Sequence, residues 1–124
     1  MTVTVYEQPE GVGLESLEDA LTGAFETLRG ALARGEVAVV SLDDRDLAGH
    51  GEPTAAALAH GLVGRVRALA LEGRKPGWQI AALACAPGVA AAERERWIGH
   101  LAQGGAASGA LIRLGGEHLG RAPV

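Results

Sequence analysis

The order of strand-like and helix-like segments is the feature that most constrains how this chain can fold. Four short segments that are apolar or alternating predict β-strands, at residues 2–6, 36–42, 78–86 and 110–114. Three longer segments between them predict helices, at residues 14–34, 54–72 and 91–103. Strict alternation of strands and helices is typical of a parallel sheet with right-handed crossovers. We therefore predict an α/β, three-layer domain with a four-stranded parallel sheet.

The helical segments differ in how their apolar residues are arranged. Residues 14–34 carry one apolar stripe, formed by Leu14, Leu17, Leu21, Phe25, Leu28 and Leu32. Residues 54–72, with Thr54 as the expected N-cap, carry two apolar lines, Leu58, Leu62, Val66 and Leu69 on one and Ala55, Ala59, Val63 and Ala70 on the other. A helix that is apolar on two sides must be buried on two sides. The sheet covers one side, and the second side predicts either a subunit interface or a fully buried core helix; we favour the interface.

Composition and charge exclude several classes of function. The 124 residues fit a single domain, 1–124, and the net charge is -4 with no block of basic residues, so we expect no nucleic-acid partner. No apolar run approaches the length of a membrane span, and the first residues do not have the pattern of a signal peptide. We therefore expect no membrane association and a cytoplasmic protein.

Two sets of polar residues are candidates for chemistry. The possible metal ligands are Cys85, His50, His60, His100 and His118. Their spacings match no known ligand motif, so we expect no metal site. Residues 43–53 predict a loop, and Asp43, Asp44, Asp46 and His50 within it could form a hydrolytic cluster. Aspartates in such a segment are more often turn formers, which is the interpretation we favour.

Several segments resemble the short-chain dehydrogenase/reductase family. Residues 61–72, GLVGRVRALALE, resemble the helix that follows the Tyr-x-x-x-Lys motif of the family. Residues 20–25 (ALTGAF), 36–42 (EVAVVSL), 86–89 (APGV) and 108–116 (SGALIRLGG) resemble further family segments, in the same order along the chain. The resemblance implies a half-Rossmann domain that corresponds to the carboxyl-terminal half of such an enzyme.

The same resemblance implies that the chain has no catalytic residues. The positions of the family's Asn, Ser, Tyr and Lys fall on Ala20, Leu42, Ala55 and Ala59. Aliphatic side chains cannot donate, accept or ionise, so they cannot replace a Tyr–Lys acid–base pair or a Ser that polarises a carbonyl. The family's first half, which carries the glycine-rich turn for the dinucleotide, has no counterpart here. We therefore expect no enzyme activity and no cofactor.

What the resemblance retains is an association surface. In the family, the helices that correspond to residues 14–34 and 54–72 commonly pack against their copies in a second subunit. This implies an interface built from Phe25, Leu28, Ala55, Ala59, Leu62, Val63 and Val66. The first strand is internal in the family and would be an edge here, open to pairing with the same strand of a second copy.

These observations lead to one preferred hypothesis about function and three alternatives. The preferred hypothesis is a non-catalytic subunit that associates with a full-length short-chain dehydrogenase/reductase through its helices. The first alternative is a homodimeric structural or regulatory protein without a reductase partner. The second is a hydrolase-like enzyme that uses residues 43–50, and the third is a decaying gene fragment.

Overall fold

Strands and helices alternate throughout residues 2–115, the part of the chain that the computed structural model describes. The strands are β1 (Val3–Glu7), β2 (Val37–Asp43), β3 (Ile80–Cys85) and β4 (Leu111–Leu114). The helices are α1 (Leu17–Ala33), α2 (Asp44–Leu47), α3 (Pro53–Glu72) and α4 (Ala91–Ala102). A single 3₁₀ turn, Leu14–Ser16, precedes α1. The tail from residue 116 onward, with His118, lies outside the described residues.

The four strands form one all-parallel sheet in the order β1-β2-β3-β4. Val5 pairs with Val39, and Val39 pairs with Ala81 on the next strand. The two central strands are buried on both faces, as their near-continuous apolar sequences predict. The predicted α/β, three-layer half-Rossmann architecture with a four-stranded parallel sheet is confirmed.

One face of the sheet is covered by α1 and α3, which lie side by side. Leu28 and Leu32 of α1 recur at helical spacing and pack with Leu62 of α3 over Val40 of β2. The helix α1 ends within one residue of the predicted boundary at residue 34, and the following Gly35 has a φ of 85° that favours glycine. Leu14 does not belong to the buried stripe, because it lies in the 3₁₀ turn and is 77% exposed.

The other face of the sheet is covered by α4 alone. Ile98 and Leu101 of this helix pack with Val39 and Leu83 of the central strands in a second apolar cluster. The sheet therefore lies between a layer of two long helices and a layer of one shorter helix.

This arrangement corrects the prediction that all crossovers are right-handed. Successive strands step in one direction across the sheet, from β1 to β4. The helices α1 and α3, which join the first three strands, lie on one face, whereas α4, which joins β3 to β4, lies on the other. When the direction of the step is unchanged, a change of face reverses the hand of the crossover. The third crossover therefore has the opposite hand from the first two.

The segment between β2 and α3 is also more ordered than the sequence predicts. It is not only a loop, because residues 44–47 form the short helix α2, with Asp43 as its N-cap. The N-cap of α3 is Glu52 rather than Thr54, and Pro53 occupies the first helical position. Within residues 2–115, no helix is both long enough and apolar enough to cross a membrane.

Candidate functional site

A large hollow in the described part of the chain lies at the carboxyl ends of β1, β2 and β3. Its volume is about 750 Å³, and its wall includes residues 7–13, the end of β2, the start of α3 and the turn after β3. Open parallel sheets bind ligands at the carboxyl ends of their strands. This hollow, hereafter the cleft, is therefore the first place to look for chemistry.

The side chain of Gln8 holds the wall of the cleft together. Its Oε1 accepts a hydrogen bond from the backbone N–H of Asp43 at 3.0 Å, and its Nε2 donates to Oδ2 of Asp46 at 2.8 Å. The backbone N–H of Gln8 donates to the carbonyl oxygen of Ser41 at 2.9 Å. Gln8, the first residue after β1, thereby links β1 by hydrogen bonds to the end of β2 and to the helix α2. The sequence indicates only that Gln8 begins a turn, because these partners are distant along the chain.

The wall of the cleft is strongly acidic. Five carboxylates line it, those of Glu7, Glu10, Asp43, Asp46 and Glu52, and no Lys, Arg or His is among its lining residues. Arg94 offsets the charge of Glu7, and the accumulated negative charge of the other four carboxylates disfavours an anionic ligand. The cleft is therefore poorly suited to the pyrophosphate of a dinucleotide, which agrees with the expectation of no dinucleotide cofactor without testing it.

The potential nucleophiles at the cleft, Ser41 and Cys85, are not activated. The guanidinium of Arg94 donates to Oγ of Ser41 from Nε at 3.3 Å and from Nη2 at 3.1 Å, and Nη2 also contacts the carboxylate of Glu7. Burial raises the pKa of the Cys85 thiol above its ordinary value, although the positive charge of Arg94 acts in the opposite direction. A thiol with a raised pKa is largely protonated near neutral pH and is a weak nucleophile.

Two of the four family positions lie in the wall of the cleft. Leu42, at the end of β2, and Ala55, in the first turn of α3, both line it. Ala59 is fully buried beneath them in the core, and Ala20 is partly buried against the same core. The cleft wall therefore offers methyl and isobutyl groups where the resemblance would require hydroxyl groups.

The acidic segment after β2 does not form a catalytic cluster. Oδ1 of Asp43 accepts the backbone N–H of Arg45, and Asp46 accepts the amide of Gln8. Asp44 is buried and forms a two-pronged ion pair with Arg113 of β4, at 2.6 and 3.0 Å. His50 is exposed and is not among the residues that line the cleft. The three aspartates thus have structural partners, which favours the turn-former interpretation over the hydrolase hypothesis.

The candidate metal ligands within the described residues do not form a metal site. Within residues 2–115, no group of three or more His, Cys, Asp or Glu side chains has a geometry that could hold a metal ion. Nε2 of His60 lies 2.9 Å from the carbonyl oxygen of Leu47, so this histidine joins α3 to the end of α2. His100 instead packs edge-on against the ring of Trp97.

Most of the predicted interface residues lie in the chain's own core. Five of them have 5% or less of their surface exposed: Leu28, Ala59, Leu62, Val63 and Val66. Their two apolar lines on α3 are accounted for by the sheet on one side and by α1 and α2 on the other. In this conformation these five side chains cannot contact a partner, which corrects their assignment to the interface. Phe25 and Ala55 are partly exposed, and for them the prediction stays open.

The surface that remains available on these helices is their solvent side. A shallow groove of about 340 Å³ runs between α1 and α3, lined by Thr22, Phe25, Gly64, Arg65 and Ala68. It continues along α1 towards Glu26, Arg29 and Glu72. Arg29 and Glu72 form an exposed ion pair at 2.6 Å that ties the two helices together. These eight residues are hereafter the outer α1–α3 face.

The comparison with known proteins gives no match. No protein-family model matches the chain, and a search of curated proteins finds no match. The resemblance to short-chain dehydrogenases/reductases rests on the quoted segments alone.

Proposed function

We propose that this chain is a non-catalytic, cytoplasmic subunit that associates with a full-length short-chain dehydrogenase/reductase through the outer α1–α3 face. The observation that carries the proposal is the groove between α1 and α3, whose wall includes the aromatic ring of Phe25 and the small residues Gly64 and Ala68. In the family that the chain resembles, the corresponding helices form the subunit interface. A reductase of the family would present its own equivalent helices, so the contact with the outer α1–α3 face would resemble the interface between two subunits of the family.

The shape of this face supports close packing of a partner helix. An added Cβ on Gly64 would meet no atom within 4 Å, so the helix backbone is directly accessible at that point. Small residues in a groove let two helices approach to about 8 Å between their axes. Phe25 would supply the buried aromatic contact that interfaces favour.

The residues at the family's catalytic positions support the non-catalytic part of the proposal. The two family positions in its wall, Leu42 and Ala55, cannot take part in proton or hydride transfer. The hydroxyl of Ser41 already accepts hydrogen bonds from Arg94, and the thiol of Cys85 has a raised pKa. A role for this chain in the partner's assembly fits these residues better than a reaction of its own.

The test is a pull-down from native lysate with tagged protein, read by mass spectrometry. We expect a full-length reductase at near-equal stoichiometry, and we expect Ala68→Glu to lower its recovery about tenfold, because a buried unpaired carboxylate costs at least 1.4 kcal/mol. Ala92→Glu is the matched control, since Ala92 is also an exposed helical alanine but lies on α4. Substitution of the buried Leu62 or Val66 would report on folding instead.

Each other outcome of this experiment has a defined meaning. Recovery of the bait alone as a dimer that Ala68→Glu disrupts would reject the reductase partner and favour the homodimeric protein. Equal recovery of a reductase with both variants would reject the outer α1–α3 face as the binding surface.

A further inference from the structure

Within residues 2–115, one backbone edge of β1 has no partner strand. In the described sheet, β1 pairs only with β2, through bonds such as Val37 N–H to the Thr2 carbonyl at 3.0 Å and Gln8 N–H to the Ser41 carbonyl at 2.9 Å. In a parallel pair, alternate residues of a strand direct both their N–H and C=O groups to the same neighbour. The even-numbered residues of β1 therefore bond to β2. The N–H and C=O groups of Val3, Val5 and Glu7 point away from the sheet.

Most of β1 lacks the usual protections of an edge strand, and its one charge lies at the last residue, Glu7. Natural edges carry lysine, proline or a bulge, or are very short. Residues 2–6, TVTVY, contain no charge and no proline, and Val, Thr and Tyr all favour strands. The opposite edge differs, because β4 has four residues and carries Arg113. Of the two edges of the described sheet, β1 is the one suited to pairing with another strand.

We infer that β1 pairs in antiparallel orientation with β1 of a second copy of this chain, across a twofold axis at Val5. Val5 then lies opposite its own copy, and Val3 lies opposite Glu7 of the second copy. All three positions have outward backbone groups, so they form the hydrogen-bonded pairs of an antiparallel ladder. A twofold contact uses the same edge twice and closes on itself, which leaves a continuous eight-stranded sheet with no exposed β1 edge.

The charges of the edge fit this pairing of two identical strands. Glu7 is the one charged residue of β1, and its carboxylate already contacts Arg94. In the twofold ladder the two Glu7 residues are four positions apart, about 13 Å along the strands. That separation exceeds the screening length of about 8 Å at physiological salt. No like charges are therefore brought opposite each other, and the uncharged Thr4, Val5 and Tyr6 lie opposite one another across the axis.

The side chains of the edge add apolar contact. Val3 and Val5 are only partly buried, on the face of the sheet that α4 covers, where they pack against the cluster of Val39 and Leu83. Pairing would place Val5 beside its own copy and extend that cluster across the axis. The inference does not depend on which partner the outer α1–α3 face binds.

Amide hydrogen exchange measured by NMR over a concentration series tests the pairing directly. We expect the amides of Val5 and Glu7 to become protected as concentration rises. The amides of Thr4 and Tyr6 should be protected at every concentration, because they bond to β2. Exchange of Val5 and Glu7 that does not change with concentration, or a monomer throughout by light scattering, would overturn the inference.

Variants separate this contact from the proposed helical interface. Val5→Pro removes an outward N–H and leaves the bonds to β2, and Val5→Lys adds the charge that natural edges carry. We expect each to weaken the dimer at least about tenfold, whereas Thr27→Lys on the exposed side of α1 should not. If Ala68→Glu disrupts the dimer and Val5→Lys does not, the dimer forms through the helices and the strand pairing is rejected. The proposed helical surface would survive that result.

Discussion

Asp44 is the one buried carboxylate among the described residues, and its ion pair with Arg113 joins α2 to the edge strand β4. Asparagine keeps one acceptor oxygen and loses the other, and one hydrogen bond to a charged group contributes about 2 kcal/mol. We expect Asp44→Asn to lower the free energy of unfolding in urea by about 2 kcal/mol. Asp19→Asn, at an exposed position on α1, should change it by less than about 0.5 kcal/mol. Equal stability of the two variants would show that the pair contributes nothing.

The reactivity of Cys85 follows from its surroundings. Because burial raises the pKa of this thiol, the thiolate fraction at pH 7 is lower than that of a free cysteine. We expect slow alkylation by iodoacetamide in the native protein and much faster alkylation in urea. Arg94→Gln should slow the native reaction further, since it removes the positive charge that favours the thiolate. A native rate equal to that in urea would contradict this account.

Some residue-level features could be predicted from the sequence and others could not. The end of α1 near residue 34 could be predicted, because the left-handed conformation that Gly35 adopts after the helix is a local requirement. The role of Gln8 could not be predicted, since its amide bridges Asp43 and Asp46, which are more than thirty positions away. The absence of hydroxyl and ammonium groups at Ala55 and Ala59 could be read directly from residue identity.

At the scale of single elements, the helix α3 shows how a correct pattern can support an incorrect assignment. Its two apolar lines do require burial on two sides, as the sequence indicates. The second side is covered within the chain, because α1 lies beside it and the short α2 packs at its start. Four residues are too few to show helical periodicity, so α2 could not be predicted from the pattern.

Two glycines of α3 should respond differently to the same substitution. Alanine favours a helix interior over glycine by about 1 kcal/mol. A Cβ on Gly64 meets nothing within 4 Å, so we expect Gly64→Ala to raise the free energy of unfolding by about that amount. A Cβ on Gly61 would lie 2.7 Å from Cδ2 of Leu21, so Gly61→Ala should gain less or lose stability. Urea titration measures both, and equal gains would show that α1 does not approach Gly61 closely.

For the whole molecule, the order of strands was predictable and the distribution of helices over the two faces was not. Hydrophobic alternation predicts which segments become strands, and short connections predict that successive strands are neighbours. The face on which a helix packs depends on which apolar face of β2 and β3 is not yet buried by another helix. On those strands the odd-numbered and the even-numbered residues are both mainly apolar, with Ser41 as the exception on β2, so the sequence does not distinguish the two faces clearly.

The position of α4, on the opposite face of the sheet from α1 and α3, also affects how the protein folds during its synthesis. The chain up to Cys85 supplies three strands and the whole helical layer on one side of the sheet, so this part can assemble while synthesis continues. Val39 and Leu83 on the opposite side have no cover until α4 leaves the ribosome. During that interval the nascent chain presents a bare apolar surface of the kind that chaperones bind. Synthesis of α4 supplies Ile98 and Leu101, which cover that surface and complete the second apolar cluster.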